Sequence, residues 1–305
     1  MQATSFIRAF SKLGRFLGQF PGNTDAGTGA TAGELEPLNR QFHERFAAAL
    51  EQEPVLNPWF TRDNLMLALG GIACMLEKDV LEKWLESYEI KPLAPGSVRT
   101  VGLVLAGNIP LVGFHDVLAV LASGHRVLAK ASSKDDRLIR EVALILSAID
   151  PELGGRIRFT EDRLSGMDAV IATGSDNSAR YFEYYFRNMP HIIRKNRNGV
   201  AVLTGNESKE ELAALGRDIF NYFGMGCRNV TKLYIPEDYD LKILLAVLDS
   251  FQGLYQHHKY GNNVDYYRTI YLMNRISILD NGVLLLKEDS SIASPVGVVF
   301  YERYS

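Results

Sequence analysis

Asp168-Ala-Val-Ile-Ala-Thr173-Gly174-Ser175-Asp176-Asn-Ser-Ala-Arg180 is the stretch on which the fold turns: a short β-branched run enters a Thr-Gly-Ser turn, and a helix-compatible segment follows at once. Runs of this kind bounded by turn residues read as strands, and the change to helical spacing after the turn makes a strand–turn–helix unit. Free N–H groups at such a helix start attract phosphate. A Ser/Asp cap that only begins the helix looks the same, so the stretch alone leaves both readings open.

The alternation recurs on both sides. Strands are predicted at 101–105, 126–129, 156–159, 169–172, 200–203, 232–235 and 296–301, with helices at 111–122, 135–149, 177–187, 209–223 and 241–251. Strands alternating with helices mean βαβ units and a mostly parallel sheet, whose ligands sit at the carboxyl ends of strands. Upstream, residues 34–88 have helical periodicity, with Cys74 among Ala and Met as a small buried hydrophobe. Residues 21–33 (PGNTDAGTGATAG) lack any large apolar side chain and read as a flexible linker. Before it, Phe6, Phe10, Leu13, Leu17 and Phe20 recur at helical spacing beside Arg8, Lys12 and Arg15. That basic amphipathic helix is expected to dock on its own chain or a twin subunit; contact of residues 1–20 with a membrane surface or partner is the other reading. The expected division is 1–33 as helix and linker, 34–198 as helices plus a dinucleotide-binding α/β domain, and 199–305 as a catalytic α/β domain.

Composition narrows the function. A net charge of −3 with scattered basic residues leaves no electrostatic footprint for nucleic acid. Two distant cysteines without CxxC spacing form neither a disulfide framework nor a structural zinc site, which fits a reducing, cytoplasmic compartment. No apolar run approaches the ~18 residues of a membrane span.

Three further places carry candidate chemistry. In Val101-Gly-Leu-Val-Leu-Ala-Gly107-Asn108-Ile-Pro110 a predicted strand runs into a glycine turn. Asn108, at its carboxyl end, can donate to a developing oxyanion or simply cap the following helix. Lys130, at the end of the next strand, can reach a ribose or phosphate, or be a solvated strand-end lysine. In Gly224-Met-Gly226-Cys227-Arg-Asn229 the glycines fail as a dinucleotide fingerprint, because the segment follows a helix and lacks the last glycine. They do allow a ligand to approach a thiol closely, so Cys227 is either a nucleophile or an inert turn cysteine. The polar, aromatic tract 254–267, with His257 and His258, lacks a third ligand at metal spacing and reads as a pocket lining or subunit contact.

Taken in order, Gly107-Asn108-Ile-Pro110, Lys130, Thr173-Gly174-Ser175 and Gly226-Cys227 resemble the successive signatures of the aldehyde dehydrogenase superfamily. The stretches VIATGSDNSARYFEYYF, HIIRKNRNGVAVL and YFGMGCRNVTKLYIP are similar to the LuxC-type acyl-CoA reductases within it. The likeness runs from about Asn57 to the end of the chain. It implies an α/β, aldehyde dehydrogenase-like fold of two parallel-sheet domains with an N-terminal helical region. It also implies that Cys227 carries the acyl group as a thioester and that Asn108 is an oxyanion donor. Thr173, Gly174 and Ser175 then meet the pyrophosphate, Lys130 lies near the adenosine ribose, and Glu288 holds the nicotinamide ribose. The implied cofactor is NADPH, with NADH not excluded. The implied partners are an acyl-CoA or acyl-carrier protein thioester and further copies of the chain in a homo-oligomer.

Two departures matter. Where oxidising aldehyde dehydrogenases carry a glutamate before paired glycines, this chain reads Arg194-Lys-Asn196-Arg-Asn198-Gly199. Hydrolysis of an enzyme thioester needs a base to activate water, and transfer to or from a thiol does not. The expectation is therefore reduction of a thioester to an aldehyde; an acid-forming dehydrogenase and a non-catalytic acyl-binding partner are the alternatives. The chain also stops at Ser305, where family members continue, so the resemblance implies a further segment returning to the cofactor domain or meeting a second subunit. His191, His257 and His258 are the candidates for a general acid.

Overall fold

A computed structural model describes residues 3–22, 31–88, 93–94 and 96–305 of the chain. Most of the linker read at 21–33 lies outside them; its last residues already belong to a helix that starts at Thr31. The chain divides into two compact units, Met1–Lys195 and Asn196–Ser305.

The first unit opens with helices α1 (Ala3–Leu17), α2 (Thr31–Leu38), α3 (Glu44–Leu56), α4 (Arg62–Met75) and α5 (Lys78–Glu86), with a wider π-helical turn, Asn39–His43, joining α2 to α3. Thr61 caps α4 through its side chain, which accepts the Asn64 N–H. Then come β1 (Thr100–Val104), α6 (Phe114–Ala122), β2 (Arg126–Lys130), α7 (Arg137–Ile149), the single turn α8 (Pro151–Gly154), β3 (Ile157–Phe159), β4 (Ala169–Thr173), α9 (Asp176–Phe186) and β5 (His191–Arg194). The strands form one parallel sheet in the order β3-β2-β1-β4-β5. Its order reverses between β1 and β4. At such a switch point the loops leaving the two strands diverge and open a crevice beyond their carboxyl ends.

The apolar face of α1 is buried in this unit's own core. Phe6, Phe10, Leu13 and Leu17 are at most 1% exposed, and α1 packs on α4, α5 and α7. A Cβ on Gly14 would lie 2.7 Å from the Leu76 Cβ, so the glycine sets how closely α1 approaches the end of α4. The Phe10 ring meets Phe114 of α6 at 6.4 Å, tying the leading helix to the element that follows β1. Cys74 departs from its reading: it is exposed. Helix α4 buries Leu65, Ala68, Leu69 and Ile72, and Cys74, two residues past Ile72, falls on the opposite face.

The second unit contains β6 (Gly199–Val202), α10 (Lys209–Phe220), β7 (Val230–Pro236), α11 (Leu241–Leu248), α12 (His258–Met273), β8 (Leu279–Asp280), β9 (Leu285–Glu288) and β10 (Val298–Tyr304). Its sheet order is β6-β7-β10-β9-β8, parallel except for β8 against β9. A capping box starts α10, with Ser208 and Glu211 each accepting the other's backbone N–H. Four helices are shorter than their periodicity predicts. The one read from 111 begins at Phe114, the one read from 135 begins at Arg137, the one read to 223 ends at Phe220, and the one read to 251 tightens after Leu248. The tract read as a pocket lining or subunit contact forms most of α12, which buries Tyr260, Gly261, Val264 and Tyr271. No described helix is long and apolar enough to cross a membrane.

If α1 is a core element, Phe10→Ala leaves a cavity and costs about 3–5 kcal/mol. A marked fall in Tm is expected by thermal melting, and an unchanged Tm would show that the helix is detachable.

Candidate active site

The first unit gathers its candidate residues at one edge of its sheet. Val104 is in register with Lys130 on one side and Ala172 on the other, so the chain leaves β1 toward Asn108 beside the ends of β2 and β4. Leu105 N–H donates to Lys130 O at 3.0 Å and extends that pairing by one residue. Gly107 is required there: a Cβ would fall 2.5 Å from Ser132 Oγ on the loop after β2. Asn108 is exposed. The N-cap of α6 is Gly113, so Asn108 does not serve as that cap, and Pro110 lies in the preceding turn instead of the first helical position.

That turn is strained. Leu111 holds φ at 55°, a left-handed conformation that costs a β-carbon-bearing residue about 1–3 kcal/mol. Its N–H donates to the Asp135 carboxylate. Asp135 is 5% exposed and its Oδ1 has no partner among the described residues; Glu53 of α3, 3% exposed, has an unpartnered Oε1. Burial pushes the Asp135 carboxyl up to about 8, against the Leu111 N–H, and the charges of Glu53 and Asp136 add to the rise. Burial also raises Glu53, with the Arg137 guanidinium opposing it. Sequence reading missed both carboxyls, since nothing in Lys130-Ala-Ser-Ser-Lys134-Asp135 distinguishes a buried aspartate from one at a helix start.

At the end of β4 the Thr173 Oγ1 is buried without a partner among the described residues. A Cβ on Gly174 would lie 2.9 Å from the Ser178 Cβ, so the chain turns tightly into α9. Ser175 is the cap of that helix, its Oγ accepting the Ser178 N–H at 3.3 Å. Lys130 Nζ donates to Asp162 O at 3.2 Å. An unpartnered hydroxyl, a glycine that removes bulk, a helix start and a lysine at the carboxyl edge suit a phosphate-bearing dinucleotide. His191 lies elsewhere. It pairs with Val170 at the amino end of β5, and its Nδ1 contacts Phe186 O and Met189 O.

Cys227 and Glu288 belong to the second unit. Cys227 is exposed and sits three residues before β7, in a turn closed by Asn229 N–H donating to Gly226 O at 3.0 Å. Gly226 N–H donates to Asn229 Oδ1 at 2.7 Å, whereas the Cys227 N–H has no acceptor among the described residues. Glu288 ends β9 in register with Tyr301, its side chain exposed. The loop beyond it is tied to β7: Thr231 Oγ1 donates to Ile292 O at 2.8 Å, and the fully buried Lys232 ammonium meets Asp289 O and Glu302. The His257 ring packs on Phe223 at 4.4 Å while its Nδ1 accepts the Tyr260 N–H and caps α12, and His258 stacks on His257.

Comparison with known proteins places this architecture. No protein-family model matches the chain. It is similar to a long-chain acyl-protein thioester reductase of Photorhabdus laumondii, 22% identical over 216 residues that make up 63% of this chain and 44% of that protein. The chain thus spans less than half the length of that curated relative. Among solved structures, an NAD-dependent aldehyde dehydrogenase from Sinorhizobium meliloti superposes with a TM-score of 0.69 at 13% identity, covering all of this chain and 66% of that one. Aldehyde dehydrogenase 21 from Physcomitrella patens, in complex with the reaction product succinate, gives 0.66 at 14% identity, covering all of this chain and 69% of that one. The chain has the aldehyde dehydrogenase fold, and the LuxC-type resemblance read from its sequence agrees with the curated relative.

The buried carboxyl sets a pH dependence. Because the Asp135 value in the fold lies above its unfolded value, the native state binds the extra proton, and stability falls as pH rises from the ordinary aspartate range to about 8. Asp135→Asn keeps an oxygen for the Leu111 N–H and needs no proton. Urea melts of this variant across pH 4 to 8, a window in which the unfolded side chain is ionised and the native one is not, are expected to show a flatter profile than the parent. An unchanged slope would remove Asp135 as its source.

Proposed function

We propose that this chain reduces a long-chain acyl thioester, presented on coenzyme A or an acyl-carrier protein, to the aldehyde at the expense of NADPH, with Cys227 as the acylated nucleophile. The observation that carries the reading is the end of β5. Where an acid-forming enzyme needs a carboxylate to activate water, this chain places cations already engaged: Arg194 pairs with the buried Asp116, and Lys195 with Glu183 at 2.9 Å. Hydrolysis of a thioester on Cys227 would use a carboxylate at that position of the sequence, and the cations that replace it favour reduction.

The thiolate of Cys227 attacks the thioester carbonyl, forming a new C–S bond and a tetrahedral oxyanion. That oxyanion is met by the unused Cys227 N–H and, as the resemblance implies, by the Asn108 carboxamide. Collapse breaks the bond to the carrier sulfur, which leaves as a thiol after taking a proton. When bound, the dinucleotide supplies the hydride that reduces the acyl group. Cys227 holds the resulting hemithioacetal, and cleavage of its C–S bond frees the aldehyde and returns the thiol. Thr173, Gly174 and Ser175 would hold the pyrophosphate, Lys130 the adenosine ribose with its 2′-phosphate, and Glu288 the nicotinamide ribose. The similarity to a thioester reductase supports the substrate class.

Incubation with a long-chain acyl-CoA followed by mass spectrometry is expected to find the acyl group on Cys227 and to find none after Cys227→Ala. Undiminished labelling of the alanine variant would sink the covalent route. Asn108→Ala is expected to lower kcat by roughly 10²–10³-fold with little change in KM, the signature of a donor used mainly in the transition state. Consumption of NADPH and NADH, compared directly, reads the role of Lys130: a clear preference for NADH would remove it.

A further inference from the structure

Between Phe220 and Asn229 the backbone departs from ordinary conformations more than anywhere else described in the second unit. Helix α10 ends at Phe220, and the next residues but one, Tyr222, Phe223 and Gly224, take φ of 53°, 56° and 75° in succession. Only the last is a glycine. A left-handed run with two bulky residues persists only where its surroundings over-determine it.

One side chain ties together the two ends of this reversal. Asn229 is 6% exposed, and both ends of its carboxamide are hydrogen-bonded. Nδ2 donates to Asp218 O at 2.8 Å and Asn221 O at 2.9 Å, with Ile219 O at 3.5 Å. The Asp218 and Ile219 carbonyls belong to the last turn of α10, which leaves such groups without partners inside the helix, and Asn221 is its C-cap. On its other side, Oδ1 accepts the Gly226 N–H at 2.7 Å. The amide therefore bridges the end of α10 and the four-residue turn that contains Cys227, while the buried Phe223 ring is held by His257 and Tyr260.

We propose that Asn229 is a positioning residue for Cys227: its buried carboxamide locks the left-handed reversal to the Gly226–Asn229 turn and so fixes the Cys227 thiol and the Cys227 N–H relative to each other. The proposal rests on the reading of Cys227 as the nucleophile. The side chain is specific for the task. Aspartate has no N–H for the Asp218 and Asn221 carbonyls and would set a charge against them. Glutamine is one methylene too long, and alanine leaves both sides of the bridge open. Gly226 N–H is withdrawn from catalysis by this bond, whereas the N–H groups of Cys227 and Arg228 have no acceptor among the described residues.

The test compares the chain with Asn229→Ala and with Leu244→Ala, a core truncation in α11, outside the turn in sequence, that lowers stability. Two rates are read at Cys227 by mass spectrometry: acylation by palmitoyl-CoA, which needs thiol and N–H in register, and alkylation by iodoacetamide, which needs only an accessible thiolate. Asn229→Ala is expected to acylate roughly 100-fold more slowly, the scale of an ångström's misplacement, with alkylation near the parent rate. Leu244→Ala is expected to keep both rates. Acylation of Asn229→Ala at the parent rate, or slowed no more than in Leu244→Ala, would overturn the proposal. Should Asn229→Ala not fold, amide exchange in the parent decides: Gly226 N–H is expected to be protected while Cys227 N–H exchanges freely, and equal exchange would overturn the bridge. If the parent chain takes no acyl group on Cys227, it is the nucleophile reading that fails, and the exchange experiment still reads the Asn229 bridge by itself.

Discussion

Among the described residues, four other than glycine hold φ in the left-handed region: Leu111, Tyr222, Phe223 and Arg275. Three of the four stand within five residues of Asn108 or Cys227. In each of these two places a buried polar side chain holds the unfavourable backbone, the Asp135 carboxylate at Leu111 and the Asn229 carboxamide across Tyr222 to Gly226. Strain of about 1–3 kcal/mol per residue is tolerated at a site when packing supplies it elsewhere. The phenylalanine-rich core beneath the first sheet and the central strands of the second provide that reserve.

The parallel sheets supply the rest of the arrangement. In the first unit the reversal of strand order between β1 and β4 opens the crevice, and Gly107 and Gly174 let the two loops turn there without a side chain in the way. In the second unit the Lys232 ammonium, on a central strand and fully buried, is satisfied by Asp289 O and Glu302. A buried charge needs such partners, and the partners here belong to the loop beyond Glu288 and to β10. Removing that lysine's charge would release the loop; the same interaction serves stability and placement.

Much of this was legible in the sequence, for definite reasons. The runs at 101–105, 126–129 and 169–172 match strands to within a residue because nearly every position is apolar and small or polar turn residues follow, with glycine after the first and third. Strand β5 and helix α12 were not read. His191-Ile-Ile-Arg194 is an edge strand with two exposed residues, and α12 mixes Asn, Tyr and His in a pattern with little helical contrast. Lys130 and Thr173 to Ser175 share one edge of the first sheet because the strand ends of a parallel sheet do, whereas Glu288 belongs to the second unit. Asn229, by contrast, reads only as the place where a last glycine is lacking, since burial and hydrogen bonding leave no mark in spacing. Asp135 and Glu53 are separated by the whole of α4, α5 and β1, and only the tertiary fold sets them side by side.

Chemically, the account turns on what happens to an acyl group once Cys227 holds it. In the proposed reaction Arg194 and Lys195 stand in the sequence where acid-forming relatives carry the water-activating glutamate, so reduction is the proposed fate. A single-turnover experiment isolates that step: the chain is first acylated on Cys227 by a long-chain acyl-CoA, freed of excess substrate, and mixed with NADPH. The account predicts release of one equivalent of aldehyde with matching loss of NADPH absorbance. Release of the free acid, or a thioester that persists unchanged beside NADPH, would contradict it.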